Sequence, residues 1–275
     1  MPQKRQRKNL ISWACTPFSE VLKHRKILLR TTLNDIKGIY AGSILGILWA
    51  ILGPIVMLFV YSFTYAVIFR IRPPDMGVTE YILYVFCGLA SFISFSGAVT
   101  AGTLSLVSNR SVLLNTVFPA ELIPLRSVLS ASIFMPVGIT IVLAGDFFLS
   151  KTTATIALVP IVMLLQLMFV TGLCWILSLV ALLMRDIQQI IYYSIMMLMV
   201  ITPIAYTPSM MPRQVAALIY VNPLSYFVIS FQNLIMLNKI PPISITIPMV
   251  AISFATFIFG YRICISSKSA FYDYA

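Results

Sequence analysis

The sequence predicts an all-α membrane protein: six transmembrane helices, an N-terminal amphipathic helix in the membrane interface, and an external re-entrant helical hairpin before the last span. Three observations carry this reading. Hydrophobic residues make up 60% of the 275 residues and charged ones 10%, against about 25% charged in a soluble domain. That leaves too little polar surface to cover a water-soluble globule. The run from Ile44 to Phe69 has 26 residues and no charge; as a helix it would be roughly 39 Å long, more than a span requires and too long for the apolar region of an export signal. Finally, nine of the 19 Lys and Arg residues precede that run, which places the N-terminus in the cytoplasm against anionic lipid.

The spans are expected at 44–69, 81–104, 124–147, 155–184, 188–206 and 243–265. Residues 1–43 form a cytoplasmic N-terminal segment and 266–275 a cytoplasmic tail, within a single transmembrane domain covering 1–275. An even number of crossings puts both termini in the cytoplasm, with 14 of the 19 cations inside. The bias supports the orientation independently of the first span. Basic flanks beside spans also account for the net charge of +11, so no nucleic-acid partner is expected.

Two segments depart from an up-and-down bundle. In "PFSEVLKHRKILL" (17–29), Phe18, Val21, Leu22, Leu28 and Leu29 fall near one face while Lys23, His24 and Lys26 point elsewhere. Such a basic amphipathic helix lies in the headgroup plane, as a lipid anchor or as a protein-docking surface. The stretch 201–236 is apolar but broken by Pro203, Pro208, Pro212 and Pro223. Proline removes a backbone donor and disfavours helix at the preceding residue. Irregular backbone is tolerated at membrane depth only under protein or beside water, so the stretch reads as a hairpin that dips in and returns; an amphipathic surface loop is the alternative. Freed carbonyls need partners of protein or water.

Catalytic chemistry is not visible. The one histidine and eight acids form no local pair or metal box, and Cys15, Cys87, Cys174 and Cys264 are scattered singly. Asp146 is the only intramembrane acid, near the outer end of its span, which counts against ion coupling. No G-x-x-x-x-G-K-[ST] loop occurs. The expectation is a transport subunit with no cofactor, metal or catalytic residue of its own, drawing energy from a partner.

In order along the chain, "DIKGIYAGSILGILWAILGPIVMLFVYSFTYAVIF" (35–69), "NRSVLLNTVFPAELIPL" (109–125), "RDI" (185–187) and "NPLSYFV" (222–228) resemble the membrane permeases of polysaccharide-exporting ABC transporters. The likeness is to exporters of lipid-linked O-antigen, with capsule and teichoic-acid exporters as relatives. It implies a channel formed with a second copy of the chain, two copies of a separate ABC ATPase that uses ATP and Mg, a lipid-linked glycan substrate and a place in the bacterial inner membrane. It also implies an ATPase-docking surface drawn from 17–29 and 111–121, with Phe18, Val21, Leu22, Leu113, Asn115, Phe118, Pro119 and Glu121. Where many relatives carry a cation after the Asn-Pro motif, this chain has Gln232.

Aromatic rings stack on the apolar faces of sugars. Tyr61 and Tyr65 lie one turn apart, Phe92 and Phe95 nearly so; with Tyr206, Asn222, Pro223 and Tyr226 at the hairpin breaks they are candidates for the substrate path. Core packing and interfacial belts account for such aromatics equally. The competing functions are an ABC permease for drugs or lipids, and a membrane-embedded glycosyl or acyl transferase.

Overall fold

A computed structural model describes residues 10–69, 73, 76–110, 119–149, 153–184, 186–207, 210 and 217–267. Every regular element among these described residues is helical. The chain enters through α1 (Leu10–Lys23) and α2 (Arg25–Ile39). Helical hydrogen bonds run through their joint, His24 N–H donating to the Glu20 carbonyl at 3.1 Å and Leu28 N–H to that of His24 at 3.0 Å. The apolar stripe is narrower than 17–29 suggests. Phe18, Val21 and Leu28 pack inward and the buried line continues through Thr32 and Ile36, whereas Leu22 and Leu29 stand 60% and 59% exposed on its shoulder.

Among the described residues, five helical segments are long and apolar enough to cross a membrane: Gly46–Tyr65, Val78–Ser108, Leu122–Phe148, Ala154–Leu183 and Ile243–Ser266. The first contains α3 (Trp49–Ser62), which continues in wider π-type turns over Phe63–Phe69. The second is α4 (Val78–Ser108). The third is two helices, α5 (Leu122–Ala131) and α6 (Phe134–Phe148), joined at Ser132. The fourth ends in α7 (Val159–Leu183), after a short 3-10 turn. The expected fifth crossing, 188–206, contains a shorter helix, α8 (Ile187–Ile201). It stops one residue before the one preceding Pro203, where proline disfavours helix. Of the hairpin, α9 (Ala217–Val221) and α10 (Pro223–Ile235) are described; the chain closes with α11 (Ile243–Ser266).

The core is built around α4, whose aromatic and aliphatic side chains are buried against α5, α6, α7 and α10. Buried polar groups are paired across it: Ser91 Oγ donates to Gln166 Oε1 and Gln166 Nε2 to the Ser91 carbonyl, both at 2.9 Å. Such pairs satisfy hydrogen-bonding groups where lipid offers none. The closest helix approach is between α7 and α11. A Cβ on Gly172 would meet Thr256 backbone atoms at 2.2 Å, and one on Gly260 the Gly172 carbonyl oxygen at 2.1 Å. By contrast α3 and α8 bury little of themselves; α8 covers only Ile187 and Ile191.

Candidate functional site

Where α4 finishes and α5 begins, a second apolar cluster joins α2, α5, α7 and α11. Polar contacts fasten its edge. Arg126 on α5 places Nε 2.7 Å from Asp35 Oδ2 on α2, and its Nη2 donates to Asn109 Oδ1 at 2.8 Å. One rigid guanidinium thus ties α2 to the last turn before residues 111–118, a planar recognition that lysine would not reproduce. On the far side of that segment, Trp175 Nε1 donates to the Glu121 carbonyl at 2.7 Å, and Trp175 packs on Phe257 and Tyr261. The two flanks of 111–118 are therefore held by different helices.

The expected docking residues divide accordingly. Leu113, Asn115 and Phe118 lie outside the described residues. Pro119 is half-buried, its carbonyl accepting from Leu122 N–H at 2.9 Å, and Glu121 is buried. Phe18 sits against Phe254 and Phe257, with ring centroids 6.0 and 5.0 Å away, and Arg262 Nη2 donates to Thr16 Oγ1 at 2.8 Å. Phe18 and Val21 hold α1 on the bundle; Leu22 is the one of the three turned outward.

In the proline-broken stretch 201–236, the described backbone groups beside the breaks find partners within the chain. Asn222 caps α10, its Oδ1 accepting from Leu224 N–H at 3.0 Å ahead of Pro223, and its Nδ2 donates to Thr202 Oγ1 at 2.8 Å. Gln232 Nε2 donates to the carbonyls of Ile204 at 3.0 Å and Pro203 at 3.3 Å. Tyr81 Oη reaches the Ala205 carbonyl at 2.7 Å, Tyr206 Oη that of Ile201 at 2.6 Å, and Tyr226 Oη that of Tyr220. The hydroxyls of Tyr206 and Tyr226 are thus directed to the chain's own carbonyls.

Of the remaining aromatics, Tyr61 and Tyr65 are half-buried and stacked with centroids 6.2 Å apart, beside Tyr81. Phe92 and Phe95 are buried in the core, Phe95 stacking on Phe169 at 6.2 Å. An opening lies where α4 faces α8, at residues the sequence did not single out. A groove of about 520 Å³ runs between α4 and α8, bordered by Ser96, Thr100, Gln188, Gln189, Tyr192 and, one turn further along α8, Met196. Its signal was present in the sequence: Gln188, Tyr192 and Met196 recur every four residues and so share one face of α8. The groove offers hydroxyls, amides and a phenol ring inside an apolar frame. Among the described residues, no group of three or more His, Cys, Asp or Glu is placed to hold a metal ion.

The sequence pattern of the ABC-2 type transporter family matches residues 28–236, about three quarters of the chain. The chain belongs to the ABC-2 type transporter family. Among curated relatives, the O-antigen export system permease protein RfbA of Klebsiella pneumoniae is 28% identical over 212 residues, covering 76% of this chain and 80% of the relative. The protein of the same name from Myxococcus xanthus is 26% identical over 237 residues, 85% of this chain and 89% of its own length. As an ABC-2 chain, the protein is a multi-pass membrane component of a transporter. The matched range takes in the Asp35–Arg126 pair, the α4–α8 groove and the hairpin; α1 and α11 lie beyond it.

Proposed function

We propose that this ABC-2 chain is the channel-forming permease of an ATP-driven exporter that carries a lipid-linked, O-antigen-like polysaccharide across the cytoplasmic membrane. The observation that carries the proposal is the α4–α8 groove. Its Ser96, Thr100, Gln188 and Gln189 side chains offer hydrogen bonds to sugar hydroxyls, and Tyr192 offers a ring face. None of these groups demands a particular order of sugars, as a processive polymer path requires. The likeness to permeases named for O-antigen export supports the same substrate class.

In this reading two copies of the chain meet along α3 and α8, the helices left barest in the protomer. Two copies of a separate ABC ATPase bind ATP and Mg and drive the cycle. They dock on Leu22 and on the segment holding Leu113, Asn115, Phe118, Pro119 and Glu121, with Phe18 and Val21 anchoring the helix beneath. Tyr61, Tyr65, Phe92 and Phe95 shape the channel wall, while Tyr206, Asn222, Pro223 and Tyr226 brace its outer mouth. Both termini are cytoplasmic and there are six crossings. The fifth is α8, whose 15 residues give about 22 Å; it completes the crossing through 202–206 under the cover of α10, as irregular backbone requires.

The test is export of lipid-linked glycan by vesicles holding the chain and its ATPase. Combined Gln188→Ala and Tyr192→Ala should lower export about tenfold, the scale of one lost hydrogen bond plus a ring contact, with assembly intact. Wild-type export by that variant would put the sugar path elsewhere.

A further inference from the structure

A second groove, of about 260 Å³, opens on another side of the protomer, between α1–α2 and the faces of α5 and α7. Leu22, Leu28, Leu129, Leu164 and Leu167 border it, and Thr171 is the one polar side chain among the described residues of its lining. From Leu164 to Thr171 the groove follows α7 for seven residues, about 10 Å. Leu22 stands 60% exposed at one mouth.

The lining restricts the occupant. A helix about 10 Å across would fill roughly 800 Å³ over that length, about three times the volume of the groove. An irregular peptide would bring N–H and C=O groups that leucines cannot satisfy, at a cost of several kcal/mol for each buried group. A hydrocarbon chain brings none. Charge beside the mouth completes the match. Lys23, Arg25, Lys26 and Arg30 are exposed on the α1–α2 segment. Arg25 lies three residues from both Leu22 and Leu28, hence on the groove side of the helix. The nearby acid, Glu20, faces Lys23 at 3.8 Å and the His24 ring at 3.6 Å, so the segment keeps an excess of positive charge.

We propose that this groove seats one acyl chain of an anionic phospholipid whose head group lies against Arg25. The lipid would fix α1–α2 on α5 and α7 by filling the gap that the protein leaves. The inference stands on the membrane embedding of the chain and is independent of the cargo.

Native mass spectrometry of the detergent-purified full chain tests it, with phosphatidylglycerol and phosphatidylcholine of identical acyl chains as probes. Phosphatidylglycerol should be retained about fivefold more, the preference expected from one basic side chain near the head group. Arg25→Gln should erase that preference. Leu129→Trp should fill the groove and reduce retention of both lipids; Leu22→Gln, at an exposed position, should do the same without disturbing the fold. Equal retention of the two lipids by the wild-type chain would overturn the proposal. So would unchanged retention in both groove variants, and if these variants instead lost association between protomers, the occupant would be a second copy of the chain.

Discussion

Gln232 answers the backbone freed where α8 ends. The chain leaves the helix at Thr202, and the carbonyls of Pro203 and Ile204 then lie inside the bundle, without water. Gln232 comes from α10 with its amide donor aimed at both. A buried acceptor left unpaired costs about 1–3 kcal/mol, so Gln232→Leu, nearly isosteric but without a donor, should lower the melting temperature of the purified chain clearly. A melting curve superimposable on the wild type would mean that these carbonyls find another donor.

Among elements, the pairing of α7 with α11 has the least tolerance. Its two glycines let the backbones approach to a distance that no Cβ permits, the close packing by small residues on which membrane helices rely because lipid provides no hydrophobic drive between them. Gly172→Ala must push the helices apart, and overpacking of this kind costs about 1–3 kcal/mol. A Cβ on Gly38, in α2, would meet nothing within 4 Å, so Gly38→Ala should be neutral or should gain up to about 1 kcal/mol of helix propensity. Thermal unfolding of the two variants side by side checks the contrast; equal melting temperatures would refute the tight crossing.

At the scale of the whole molecule, the distribution of burial sets what the protomer lacks. The α4 core is closed, while α8 presents Tyr192, Tyr193, Met196 and Met197 at 62–66% exposure. If two copies meet along this helix, a cysteine placed at Tyr193 should be joined to its counterpart by a short bifunctional thiol reagent in membranes. The described native cysteines Cys87, Cys174 and Cys264 are all buried and should contribute little background. Failure to crosslink at Tyr193, with efficient crosslinking at a residue of α6 such as Phe148, would move the interface away from α8.

The sequence by itself determined the class of molecule, because composition and the length of uncharged runs measure transfer into lipid directly. It also located the proline break before α10, since proline acts on the neighbouring backbone; that Asn222 caps α10 came from the structure. Its family likeness was readable from short motifs in order. Tertiary structure alone decided which side chains answer the break: Gln232, Tyr81 and Tyr206 meet carbonyls from other turns or other helices, and no local pattern encodes those meetings. It also separated Phe18 from Leu22, which a helical wheel puts near one another but packing sends to opposite fates, and it opened the groove between α4 and α8. Hydrophobic periodicity says that a face is apolar. Whether that face meets the core, the lipid or a passing sugar depends on what the rest of the chain places opposite it.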